Sequence, residues 1–151
     1  MKNIIRFLIC LIPWFLSGLL FSKYTSFFNK LVLPFFALPK NLYGIIWTII
    51  YFLIAISIYI IYSKNNYKYL KNYNEALISN YIFNQLYLFL MFRLQNTFLG
   101  FADALAILIT SLMLYYETKE IDRKSSKFLL IYVYFSLYAT ILSLGIYFLN
   151  V

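Results

Sequence analysis

The chain of 151 residues contains no histidine and a single cysteine, Cys10. Those absences remove a His/Cys zinc site, a His-ligated haem and a Ser-His-Asp triad from what one copy can build. They also remove any disulfide within the chain, so the redox compartment is not legible. Charge is scarce, at 12% Asp, Glu, Lys and Arg, against roughly 25% in a soluble domain. That is too little to cover the surface of a water-soluble globule. Disorder is excluded by the opposite excess, since 64% of the residues are hydrophobic and 23% aromatic, whereas disordered chains are poor in aromatics. Acids are scarcest of all: Glu75, Asp103, Glu117, Glu120 and Asp122 face 13 Lys and Arg, for a net charge of +8.

The positions of those charges explain the sum. The bases gather at 2–6, 23–40, 64–71, 93 and 119–127 and leave five apolar stretches between them, at about 4–21, 42–62, 76–92, 98–116 and 128–149. Each is near the roughly 20 residues that cross a bilayer core. The expected fold is therefore an all-α integral membrane protein, a single domain over 1–151 built as a five-transmembrane-helix bundle. No Gly/Ser linker or repeat divides it. In a soluble protein +8 would suggest nucleic acid, but here the bases cap membrane helices and no nucleic-acid partner is expected. The first stretch lacks a small-residue cleavage pattern at its end, Leu19-Leu20-Phe21-Ser22-Lys23, and reads as a retained helix.

Basic residues also orient the bundle, because cytoplasmic loops are enriched in them. Lys2, Arg6, Lys64, Lys68, Lys71, Lys119, Arg123, Lys124 and Lys127 fall on the amino-terminal side, nine against the four of Lys23, Lys30, Lys40 and Arg93. A cytoplasmic amino terminus is expected, with the carboxyl terminus and the first loop outside, in a bacterial cell membrane.

Polar side chains inside lipid need partners or a cavity. Asn80, Asn84 and Tyr87 fall on one helical stripe, and Gln85 flanks it. Two readings remain open for these residues: the lining of a pocket, or hydrogen bonds between helices worth about 0.6 kcal/mol each. Asp103 is read as a structural buried acid, hydrogen-bonded to a neighbouring helix and fixing register, beside a small-residue stripe of Ala102, Ala106 and Thr110. Trp47, between Tyr43 and Tyr51, suits either an interfacial aromatic belt or a cavity wall. At 1.5 Å per residue, Trp47 and Asp103 lie ~7.5 Å, Gln85 ~10 Å and Asn84 ~12 Å from the outer ends of their spans, which gathers them beneath the first loop. That loop, 22–41, is too apolar for a solvated connection and is expected to fold over the bundle mouth as a lid.

Four segments resemble one family in chain order. Leu38-Pro39-Lys40-Asn41-Leu42-Tyr43-Gly44-Ile45-Ile46-Trp47-Thr48-Ile49-Ile50-Tyr51 is similar to the PPxxxFGxxWTxLY signature of the TspO/MBR family, the tryptophan-rich sensory proteins that include the mitochondrial translocator protein, or peripheral benzodiazepine receptor. Asn80-Tyr81-Ile82-Phe83-Asn84-Gln85 resembles the third helix of Gram-positive bacterial members, and Leu99-Gly100-Phe101-Ala102-Asp103-Ala104-Leu105 their fourth-helix acid. Tyr138-Ala139-Thr140-Ile141-Leu142-Ser143, with Leu149-Asn150, resembles the FATYLN…IxxLN close.

The resemblance implies a five-helix bundle, often a homodimer, in which a cavity under the first loop binds porphyrins such as protoporphyrin IX and haem, or isoquinoline carboxamides, and in animals cholesterol. It implies ligand-binding positions at Trp47, Asn84, Gln85, Tyr87 and Ala139, with Asp103 as the buried acid. Porphyrin or haem would be a ligand, with no obligatory cofactor, no catalytic residue and no metal site. Departures are Phe28 where the bacterial pattern has tyrosine, Phe135 where it has tryptophan, and Leu38 and Ile131 where it has proline. No base follows Tyr147, so the sterol-associated pattern is missing.

Three functions compete. A receptor, sensor or transporter for tetrapyrroles suits an aromatic cavity with a few polar groups. The resemblance also admits a light-dependent porphyrin-degrading enzyme that depends on helix tryptophans; with Trp47 kept but Phe135 where the pattern has tryptophan, its activity is expected to be weak or absent. A structural membrane subunit would use the amides as helix contacts alone. Broken helices, frequent in transporters, are not expected in these spans.

Overall fold

The computed structural model describes residues 2–64 and 70–151; Lys68, one of the nine bases counted above, lies outside them. Every regular element among the described residues is helical. The first helical rod, residues 2–30, is interrupted: α1 (Lys2–Leu11) passes through a 3₁₀ turn (Ile12–Phe15) into α2 (Leu16–Phe21) and a second 3₁₀ segment (Ser22–Lys30). Pro13 is the cause, because its ring lacks the N–H of a helical bond and crowds the carbonyl one turn back. The continuous first span expected from the apolar run is thus a broken one.

α3 (Lys40–Lys64) follows the first loop. α4 (Lys71–Leu88) widens into a π-turn at Phe89–Arg93, and Gln95, with φ of 52°, reverses the chain. The Asn96 side chain then accepts from Leu99 N and starts α5 (Thr97–Ile121). Asp122 alone separates α5 from α6 (Arg123–Leu149), and its carboxylate accepts from Ser125 N at 2.7 Å. Arg123, Lys124 and Lys127 consequently stand in the first turns of α6 rather than in a loop, and the helix begins five residues before the expected span.

Among the described residues, four helical stretches are long and apolar enough to cross a membrane: 2–30, α3, α5 and α6. α4 falls short because its amides dilute it, and those amides turn inward: Asn80 and Asn84 are buried. α5 packs most extensively on α6 and α4, and α3 on α6 and α1. Small residues let the helices approach. A Cβ on Gly100 would collide with the Met91 side chain. Thr140 Oγ1 donates across the α5–α6 seam to Ala104 O at 2.9 Å, and Ser125 Oγ to Ser57 O at 3.0 Å. Large apolar side chains such as Ile9, Leu19, Ile49, Ile109 and Phe148 point outward, the reverse of a soluble protein and the arrangement that suits lipid.

The core has two parts. Distant from the first loop, Trp14, Ile54, Ile61, Tyr73, Leu114, Leu129 and Tyr132 form a continuous packed cluster. Beneath the loop, a smaller group of Met91, Phe92, Leu142 and Ile146 leaves space beside it.

Candidate ligand cavity

The loop above that space is fastened at three places. Asn150 at the end of α6 clamps Val32 from both sides, accepting its N–H and donating to its carbonyl, each at 2.9 Å. Pro34 rests on Gly145, where a Cβ would come within 2.7 Å of the proline ring. The hydroxyls of Tyr43 and Tyr138 accept from Leu38 N at 3.0 and 3.2 Å, and Tyr138 donates to Phe36 O. Residues 31–39 thereby lie across the end of the bundle, while 22–30, expected as part of the same loop, form the 3₁₀ end of the first rod and bring Phe28 to the cavity.

Under them is a cavity of about 350 Å³. Phe28 of the loop, Trp47 and Tyr51 of α3, Asn84 and Tyr87 of α4, Ala104 of α5, and Phe135 and Ala139 of α6 contribute to its wall. Aromatic edges set its shape. Trp47 meets Phe135 edge to face, with centroids 5.4 Å apart, and lies 5.7 Å from Tyr51. Nearer the mouth, Phe28 packs edge to face on Tyr43 at 5.7 Å. Such contacts hold rings in fixed orientations.

Six of the residues singled out in the sequence meet on this wall: Phe28, Trp47, Asn84, Tyr87, Phe135 and Ala139. Three do not. Asn80 is fully buried one turn below, where its Nδ2 donates to Thr110 Oγ1 at 2.9 Å and its Oδ1 accepts from Tyr132 at 3.0 Å. It joins α4, α5 and α6 and has no face on the cavity. Gln85 is not itself on the wall but backs it: its Oε1 accepts from the backbone N–H of Ser17, a wall residue, at 2.8 Å and ties the broken first helix to the bundle. Its Nε2 is buried without a partner among the described residues.

Asp103 is buried beside the wall, but the hydrogen bond to a neighbouring helix expected for it is not there: its Oδ2 has no partner among the described residues. The hydroxyls of Tyr87 and Tyr132 are instead paired with Ser143 Oγ at 3.0 Å and with Asn80 Oδ1 at 3.0 Å. The small-residue stripe is also only partly interior, since Thr110 is buried and Ala102 faces outward.

Two supporting residues were not read as such in the sequence: Trp14, which backs the wall without lining it, was not singled out, and Tyr51 entered only as a flank of Trp47. Trp14, the second of only two tryptophans, is buried against Tyr51 and Tyr81, with centroids at 5.9 and 5.4 Å. The break at Pro13 places it there, so a proline followed by the rarer large aromatic was the available signal. Tyr51 is the other: its hydroxyl donates to Asn84 Oδ1 at 3.0 Å and holds the amide against the wall.

The family model of the TspO/MBR family matches residues 6–149. The chain belongs to the TspO/MBR family. Among TspO/MBR relatives it is 34% identical over 149 residues to the Tryptophan-rich protein TspO of Bacillus cereus, covering 99% of this chain and 97% of that one. It is also 34% identical over 126 residues to the Tryptophan-rich protein TspO of Archaeoglobus fulgidus, covering 78% and 75%. The Uncharacterized membrane protein YtaB of Bacillus subtilis is 32% identical over 134 residues, covering 89% and 86%. Membership and the apolar helices together make this TspO/MBR chain a multi-pass membrane protein.

Proposed function

We propose that this protein spans a bacterial cell membrane five times and holds a flat, apolar small molecule of the porphyrin type in the cavity beneath its first loop. The observation that carries the reading is the cavity wall: Trp47, Tyr51, Phe28 and Phe135 offer faces and edges for a macrocycle, while Asn84 adds one amide to orient it. The volume falls within the range that takes drug-sized ligands, so a compact isoquinoline carboxamide suits the same wall. In this reading protoporphyrin IX or haem is held by stacking and polar contacts, since the chain has no histidine. α4 counts as the fifth span because its polar face is turned into the bundle. The nine-to-four asymmetry of bases puts the amino terminus in the cytoplasm and the loop outside, and a homodimer is the assembly that family resemblance implies. The role is sensing or transport of the bound molecule.

The test is a titration of tryptophan fluorescence with protoporphyrin IX in nanodiscs. Wild type is expected to saturate. Trp47→Ala removes a wall face and Ala139→Leu fills the space, and each is expected to weaken binding by roughly tenfold, about 1.4 kcal/mol. Absence of saturable binding by wild type overturns the reading, and a reporter after Val151 that is active in the cytoplasm overturns the orientation.

A further inference from the structure

Lys40 is the charged side chain on the cavity wall, and the helix it opens gains nothing from its charge. It opens α3, the end of a helix where the dipole disfavours a cation, and no acid stands in that first turn to offset it. Its Nζ meets only a neutral amide, Asn29 Oδ1, at 3.0 Å. No carboxylate pairs with it: four of the five acids, Glu75, Glu117, Glu120 and Asp122, stand at the opposite end of the bundle, and Asp103 is buried on α5.

The surroundings repeat the sign. The mouth end carries Lys23, Lys30, Lys40 and Arg93 and no exposed acid. Arg93 and Lys23 are spent on the Tyr24 ring, at 4.7 and 5.1 Å from its centroid. Lys40 is therefore a cation held at the rim of an apolar chamber, with an uncommitted charge, inside a field that gathers anions.

We infer that the cavity selects an amphiphilic anion: an apolar body seated against Trp47 and Phe135, with a carboxylate at the mouth paired to Lys40 Nζ. The inference rests on the porphyrin reading above and narrows it to ligands that carry an acid group, against neutral ligands of the same shape. Lys40 is a specificity residue here, and the aromatic wall supplies the uniform part of the affinity.

The experiment compares protoporphyrin IX, a diacid, with its dimethyl ester, each titrated into wild type, Lys40→Gln, Lys40→Arg and Lys30→Gln in nanodiscs of neutral lipid. Wild type is expected to bind the diacid roughly fivefold more tightly than the diester, the scale of a well-placed but solvent-accessible ion pair. Lys40→Gln is expected to erase that preference with diester affinity unchanged, which also shows that the variant is folded. Lys40→Arg retains it, and Lys30→Gln, a cation off the wall, retains most of it. Raising salt from about 50 to about 500 mM narrows the preference in wild type, Lys40→Arg and Lys30→Gln, and leaves Lys40→Gln, which has none to lose, unaffected. Equal affinity of wild type for acid and ester, or a preference that survives Lys40→Gln or falls equally in Lys30→Gln, overturns the role of Lys40 and leaves porphyrin binding standing. Failure of both ligands to saturate wild type overturns the porphyrin reading and this inference with it.

Discussion

At the end far from the first loop, α3, α4, α5 and α6 meet through Ile61, Tyr73, Leu114 and Leu129, each no more than 1% exposed. At the loop end, the same helices separate around about 350 Å³ of space. The amides of α4 show what the difference means. Asn80 and Asn84 are one turn apart and chemically identical, and both contact the Tyr132 hydroxyl. Yet Asn80 lies within the closed half, and Asn84 borders the open half through Tyr51. An amide in a membrane helix is thus neither a contact nor a ligand group by type; whether the neighbouring helices close over it decides.

The comparison breaks first at Asn80. Asn80→Leu removes bonds to Thr110, Ile107 and Tyr132. At about 0.6 kcal/mol for each of these three contacts, the expected loss is about 2 kcal/mol. Thermal unfolding in detergent measures it, and porphyrin affinity of the folded fraction should stay within twofold of wild type. A large loss of affinity with full stability would make Asn80 part of the site and erase the distinction between the halves.

Asp103 sharpens the boundary. A buried acid at a helix centre costs about 2.5–3.5 kcal/mol on insertion scales, and here its Oδ2 returns no hydrogen bond. Asp103→Asn keeps the shape and removes the charge, so it is expected to leave stability unchanged or raise it by up to about 1 kcal/mol. A fall in stability of that size would reveal a partner for the carboxylate and place Asp103 with Asn80 in the closed half.

The smallest effect belongs to the far rim. Lys64 donates to Asp122 at 2.6 Å, and with the Ser125 N–H it holds the Asp122 carboxyl below the usual carboxylate range. A lowered folded-state value means that this contribution is complete above the unfolded value, about 3.9. It is lost as pH falls through the lower folded value. Asp122→Asn preserves the helix cap, since asparagine caps as well as aspartate, and removes only the charge. Its melting temperature should lie slightly below wild type from pH 5 to 7 and converge with it below about pH 4. The loop end has no such pair among the described residues, so ligand affinity should be indifferent to this substitution.

Much of this was legible from charge and periodicity. Bases between apolar runs marked the helices, and Trp47, Asn84 and Tyr87 stood out because polar and aromatic groups at one depth are costly unless they share an interior. Helix ends were less legible. The charges Arg123, Lys124 and Lys127 suggested a loop, yet Asp122 caps so economically that α6 begins among them. Direction around a helix was the other blind spot. Gln85 follows Asn84, and about 100° of helical rotation turns it toward the first helix, where it holds the backbone of the wall residue Ser17 instead of lining the cavity itself. That contact exists because Pro13 bends the first helix, a tertiary consequence that a local pattern of α4 does not contain.

The Asn150–Val32 clamp ties the roof of the chamber to the penultimate residue of the chain. The last turn of a helix is the part that opens most readily, so this anchor is expected to release before the Pro34 and Tyr138 contacts do. The roof is therefore only as firm as the helix end that holds it, and a substitution that loosens that turn would reshape the chamber without altering its wall.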